Sequence, residues 1–267
     1  MKRLLRIEFR KMLKSRAFLL LFGGYLLMIF GMAIFIGSFK INITANGAEY
    51  PFHFGKLGVL DFPYIWHNVT YVVGFMKYIL AILIVIFITN EFSFRTVRQN
   101  VIDGMSRTEY INSKLISTLL FGIASTVFVF LITLILGFVR SNGTASDVIF
   151  MRSSFLVGYF IELMSILTFA FFIGLLIKRA GFAIIAVMVY AFVIEPLIGY
   201  KIPEPYDAFL PISSSREIID IPFKRYTQGL VDMEFNETPS VLYSAISLGY
   251  IALWSGLSHW LFAKRDL

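Results

Sequence analysis

The chain is predicted to be an all-α membrane protein whose body is a bundle of six transmembrane helices. Three observations predict it. Of 267 residues, 58% are apolar and 15% charged, against about 45–50% and about 25% in soluble domains. Six apolar stretches, residues 17–39, 68–89, 115–139, 153–177, 180–200 and 240–263, are long enough to cross roughly 30 Å of hydrocarbon at about 1.5 Å per residue. Finally, backbone groups in lipid must be satisfied internally, so each stretch closes its own hydrogen bonds as a helix. Six helices over residues 17–267 form one bundle, with no length left for a second globular domain.

Taken in order, residues 1–16 place Leu5, Phe9, Met12 and Leu13 on one helical face and Arg3, Arg6, Arg10 and Lys14 largely opposite. That is an amphipathic helix lying in the headgroup plane, the alternative being a plain basic flank that only sets topology. The first span is too long for the apolar core of a signal peptide, about 7–15 residues, and no small-x-small cleavage site follows it, so it is a retained anchor. The outer loop 40–67 is rich in turn residues, among them Asn46-Gly47, Pro51, Gly55, Gly58 and Pro63. Lys178-Arg179 is the whole link between the fourth and fifth spans, which makes them a tight helical hairpin. The last outer segment, 201–239, is acidic, with apolar residues interleaved among Pro203, Pro205, Pro211 and Pro222. Such a stretch is expected to form short helices that dip into the outer face or cap the bundle, with a flexible lid as the alternative.

Orientation follows from the basic residues. Fifteen Lys and Arg lie on the side holding both termini, including Arg95, Arg98, Arg107 and Lys114, against eight on the other. The first side is therefore cytoplasmic. The formal charge of +7 is then placed beside anionic headgroups and is no nucleic-acid footprint.

Between the second and third spans the pattern changes. Glu91 and Phe92 close the second span; Val97, Val101, Ile102 and Met105 share one helical face of residues 96–105, with Arg95, Arg98 and Gln99 on another. Gly104 is suited to the left-handed conformation that ends a helix. Ser106-Arg107-Thr108-Glu109 has the spacing of a capping box and starts the helix of the third span. A short helix, a bend and a new helix at the cytoplasmic surface make a ridge that can dock in a partner's groove; an interfacial helix resting on lipid gives the same periodicity.

The run from Glu91 to Lys114, with Thr96-Val97-Arg98-Gln99, Gly104-Met105-Ser106-Arg107 and Lys114, resembles the permease subunits of type-2 ATP-binding-cassette (ABC) exporters. It departs from them at Phe94-Arg95, where a glycine is frequent. The layout of the whole chain is similar too, down to the ending Phe262-Ala263-Lys264-Arg265-Asp266. The resemblance implies a pore-forming half-transporter in a bacterial cytoplasmic membrane, pairing with a second copy or a close relative. It further implies that residues 96–105 are the coupling helix, with Glu91, Arg95, Val97, Arg98, Val101, Ile102, Gly104, Met105, Ser106 and Arg107 at the interface with a cytoplasmic ATPase. No G-x-x-x-x-G-K-[ST] loop occurs in the chain. ATP and magnesium are accordingly expected on the partner subunit, and this chain is expected to be no enzyme. The competing reading is a membrane anchor or scaffold in an ABC-like complex that moves no solute.

Other chemistry is sparse. There are no cysteines, which excludes disulfides, thiolate metal sites and thiol nucleophiles. His53, His67 and His259 have no ligand spacing, so neither a metal nor another cofactor is expected, and Ser165, three residues from Glu162, has no histidine to make it a nucleophile. Triplets of the N-x-Thr kind at Asn42, Asn68, Asn142 and Asn236 arise readily by chance. Charged residues inside spans are functional candidates because each costs at least about 2.5–3.5 kcal/mol at mid-bilayer. They are Lys77, Glu162 and Glu195. Lys77 and Glu162 lie at matching depths and are expected to pair, with a substrate path as the rival role; Glu195, beside Pro196, is expected to reach water. The small-x-x-x-small pairs Ala170/Gly174 and Ala252/Gly256 suit helix contacts.

Overall fold

A computed structural model describes residues 16–36, 40–45, 48–53, 58–94, 96–102, 104–141, 146–203, 205–222 and 236–264. Residues 1–15, carrying most of the expected amphipathic helix, lie outside them. The first span is α1 (Arg16–Phe35). Two strands follow, β1 (Lys40–Ala45) and β2 (Ala48–His53), paired antiparallel from Lys40 opposite His53 to Ala45 opposite Ala48. This hairpin is the one departure from an all-helical chain among the described residues. Its signal is present in the alternation of Lys-Ile-Asn-Ile-Thr and in the Asn46-Gly47 pair, a favoured hairpin dipeptide.

The second span was expected to be continuous and is not. It consists of α2 (Ile65–Gly74) and α3 (Lys77–Ser93), bent by 47°. At the break the Phe75 and Met76 N–H groups reach back only three residues, to the Val72 and Val73 carbonyls, a local tightening of the helix. A short α4 (Thr96–Ile102) leads to α5 (Arg107–Arg140), which holds the third span. Its start has both halves of the capping box: Ser106 Oγ accepts the Glu109 N–H, and the Glu109 carboxylate accepts the Ser106 N–H.

After α6 (Ser146–Ile149), the fourth span is α7 (Phe155–Ile177). Lys178 then turns the chain with a left-handed φ of 62° into α8 (Ala180–Val189). The fifth span continues through a π-helical turn, Tyr190–Ile194, into α9 (Glu195–Lys201). A 3₁₀ turn (Tyr206–Phe209) and α10 (Pro211–Arg216) cap one end of the bundle, burying Ile212, Ile218 and Ile219, in agreement with the capping alternative for the described part of 201–239. The sixth span is α11 (Val241–Ala263).

Five of these helices are long and apolar enough to cross a membrane unaided, and the bent pair makes a sixth. The fourth span is the hub. It packs against the second, third, fifth and sixth spans and the cap, and 67% of its most apolar window is buried, against 17% in the first span and 11% in the sixth. The outer spans instead expose Leu20, Leu27, Phe182, Leu242 and Leu253, the surface expected where lipid is the solvent.

The two small-residue pairs differ. Gly174 of α7 lies against the second span, where an added Cβ would sit 3.6 Å from the Val85 Cα, whereas nothing lies within 4 Å of one at Gly256. Gly174→Leu should therefore cost about 1–3 kcal/mol by overpacking and lower the thermal midpoint in detergent, while Gly256→Leu leaves it unchanged. Equal midpoints for the two variants would contradict this packing.

Candidate functional site

At the bend of the second span Lys77, the first residue of α3, meets Glu162, two turns into α7. The ammonium donates to Glu162 Oε1, and both side chains are buried. The depth-matched pairing expected from the sequence is thus present. Gly74 makes room for it: a Cβ there would lie 3.3 Å from Glu162 Oε2. A turn of α7 further out, the Tyr159 hydroxyl joins Ser125 Oγ at 3.0 Å and Tyr25 at 3.3 Å, and Tyr25 reaches Ser125 at 2.6 Å. Three hydroxyls and one ion pair on the same side of α7 thereby tie it to the first three spans.

A second buried pair sits at the end of the bundle away from the cap, and the sequence alone did not show it. Lys114, expected at the cytoplasmic surface, is fully buried. Its Nζ lies 3.3 Å from Glu91 Oε1 and 4.5 Å from the centroid of the Phe87 ring. The reason is geometric. Lys114 is two turns into the helix that Ser106 caps, four residues beyond the buried Tyr110 and so on the same inward face. Thr96 Oγ1, at the start of α4, donates to Glu91 Oε2 at 2.7 Å. The ends of the second and third spans and the first residue of α4 therefore converge on one carboxylate.

The remaining interface residues divide between the two sides of this elbow. Glu91 and Val97, expected at a partner interface, are buried within the chain, where they anchor the elbow. Met105 packs partly against the core. Ile102 and Phe94 are about three-quarters exposed, at 76% and 75%. Gly104 has φ 94° and Ser106 is the cap. Arg107 donates from Nη1 to the Ala263 carbonyl at 2.6 Å, and Tyr110 stacks on Phe262 at 5.0 Å, so the elbow also grips the end of the sixth span. Arg95 and the side chains of Arg98 and Val101 lie outside the described residues.

Glu195 corrects another expectation. It does not reach water but is 1% exposed, and its carboxylate accepts the Ile212 N–H at 2.8 Å and the Ser213 N–H as well. Proline cannot donate at the first position of α10, so the donors of the next two residues are free to be capped from the neighbouring span. His67 Nε2 donates to the Asp220 carbonyl at 2.7 Å and its ring stacks on Phe155 at 4.0 Å. His259 bonds within the elbow, 2.8 Å from the Asn112 side chain. Asn68, one of the N-x-Thr asparagines, is buried and donates to the Val59 carbonyl.

Transmembrane helices around a buried ion pair, with a bent span and no catalytic constellation in view among the described residues, define a multi-pass membrane protein. A family model described as Protein of unknown function (DUF2705) matches residues 25–267, and the chain belongs to that family. No curated protein matches it.

Removing one partner of a buried ion pair leaves the other charge uncompensated, at a cost of about 3–5 kcal/mol. Lys77→Met and Glu162→Leu should each lower stability by that order. The double variant should lose less than either alone, as measured by unfolding in detergent or proteolysis in nanodiscs. Additive losses would show that the two charges act separately.

Proposed function

We propose that the chain is the permease subunit of an ABC-type exporter, seated in a cytoplasmic membrane with both termini inside, and driven by ATP hydrolysis on a separate subunit. The observation that carries this reading is the elbow. Thr96–Ile102 leaves Ile102, with Phe94 beside it, exposed at one end of the bundle, which the basic residues assign to the cytoplasm in this reading, while Glu91, Lys114 and Thr96 fasten the same segment to the spans behind it. Force applied to an exposed apolar ridge anchored in this way moves the second and third spans together. The Lys77–Glu162 pair would carry that motion to the fourth span, in the manner of rigid elements shifting about packed interfaces.

Two such chains would enclose a path for an amphipathic cargo, with two ATPases below. The competing reading, an anchor or scaffold in an ABC-like complex, differs in whether a solute moves.

The test is purification of the full chain with the ATPase that binds it, followed by reconstitution in vesicles. A stoichiometric, ATP-hydrolysing partner is expected, and Ile102→Asp should lower its retention about tenfold or more, since a charge placed in an apolar groove is desolvated without a partner. Failure to recruit any ATPase would contradict the proposal. Hydrolysis without flux of any amphipath tested would favour the scaffold.

A further inference from the structure

We propose that the outer half of the bundle holds a binding site for the oxyanion headgroup of a membrane amphipath, in the cavity where the bend of the second span meets the π-helical turn of the fifth. Two helix irregularities in different spans converge there. The cavity is lined by Gly74, Phe75 and Lys77 from the bend, by Phe192 from the π-helical turn, by Glu162 from the hub, and by Arg216 from the cap. Tyr78, also in the wall, packs against Phe192 at 4.7 Å. Broken or widened helices inside a membrane are tolerated where they line a cavity, and π-helical turns recur at functional sites.

The chemistry of the wall selects the ligand. Lys77 and Glu162 neutralise each other, which leaves the guanidinium of Arg216 as the remaining charge in the wall. Arg216 makes no ion pair among the described residues and is exposed. A guanidinium presents a planar fork of donors suited to carboxylate or phosphate oxygens. The Tyr78 hydroxyl is buried with no hydrogen-bond partner among the described residues, although Tyr78 itself is only 8% exposed; a buried hydroxyl of this kind calls for an acceptor. Glu217 and Asp220 follow on the cap within electrostatic reach of Tyr71 in the same wall, so the oxyanion depends on direct contact with Arg216; the Asp220 carboxylate accepts the Ile221 N–H at 2.7 Å.

The shape selects an amphipath over a free anion. Phe75 and Phe192 are more than half exposed, at 54% and 55%, and form an apolar rim within two spans, against which a hydrocarbon tail can lie. The volume, about 70 Å³, matches about two waters at about 30 Å³ each, and so one carboxylate or phosphate group with the tail outside. The site is argued without reference to any ATPase, so its failure and that of the transport reading are separable.

The test uses the full chain in nanodiscs of phosphatidylcholine, with phosphatidylglycerol in one arm and oleate in another, and counts retained lipid by native mass spectrometry. Preferential retention of either probe over phosphatidylcholine is expected; phosphatidylglycerol alone identifies a phosphate headgroup, and oleate alone a carboxylate. Arg216→Gln should lower that retention about tenfold or more, and Tyr78→Phe should lower it without lowering the thermal midpoint. Arg140→Gln, at an exposed cation outside the wall, should leave it unchanged. No preference over phosphatidylcholine, or equal retention by the wild type and Arg216→Gln, would reduce the bound molecules to ordinary annular lipid and overturn the proposal.

Discussion

Glu162 stands on the helix that four other spans press against, in surroundings where a carboxylate left alone is prohibitively costly. Its partner Lys77 begins the second half of the bent second span, so the pair sits at the place where the span breaks. Gly74 then has a reason to be glycine, because the carboxylate occupies the space in front of it. The bend and the cavity beside it lie around those two charges.

The same device recurs at the two ends of the bundle. Glu91 joins Lys114 and Thr96 at the elbow, and Glu195 holds the start of α10 at the cap. Of the three buried carboxylates among the described residues, Glu162 joins two spans at the bend of one of them, and Glu91 and Glu195 each join a span to a segment that is not simply a span. Apolar packing between helices in lipid is weakly directional, since lipid tails are as apolar as the side chains they replace. Ion pairs and charge-assisted hydrogen bonds are directional, and here they occupy the places where register has to be fixed. A motion of the elbow would reach the outer half of the molecule through this set of fixed points.

What was legible in the sequence is local. The helical character of the apolar stretches, the hairpin at Lys178-Arg179 and the reciprocal Ser106–Glu109 cap depend on a few neighbouring residues and are present as expected. The pairing of Lys77 with Glu162 was legible for a different reason: in hydrocarbon an isolated charge points to its own partner. What was not legible depends on the third dimension. Lys114 and Glu91 lie close enough to the membrane surface for hydropathy to place them outside. Only the phase of the helix begun at Ser106 turns Lys114 inward. Glu195 beside Pro196 has the appearance of a surface turn, and its burial follows from α10 folding back over it. The bend at Phe75-Met76 has no proline and leaves the hydropathy of its span continuous, whereas the π-helical turn at Tyr190–Ile194 is followed by Pro196, whose ring crowds the Phe192 carbonyl four residues back.

The central claim is that Thr96–Ile102 is a handle on the cytoplasmic side, and it admits a direct measurement because the chain has no cysteine of its own. A single Ile102→Cys variant can be treated with a membrane-impermeant maleimide in sealed vesicles of both orientations. Labelling in inverted vesicles only, with none in right-side-out vesicles until they are permeabilised, is the predicted result. Labelling from the outside of intact right-side-out vesicles would place the elbow on the wrong face and contradict the account.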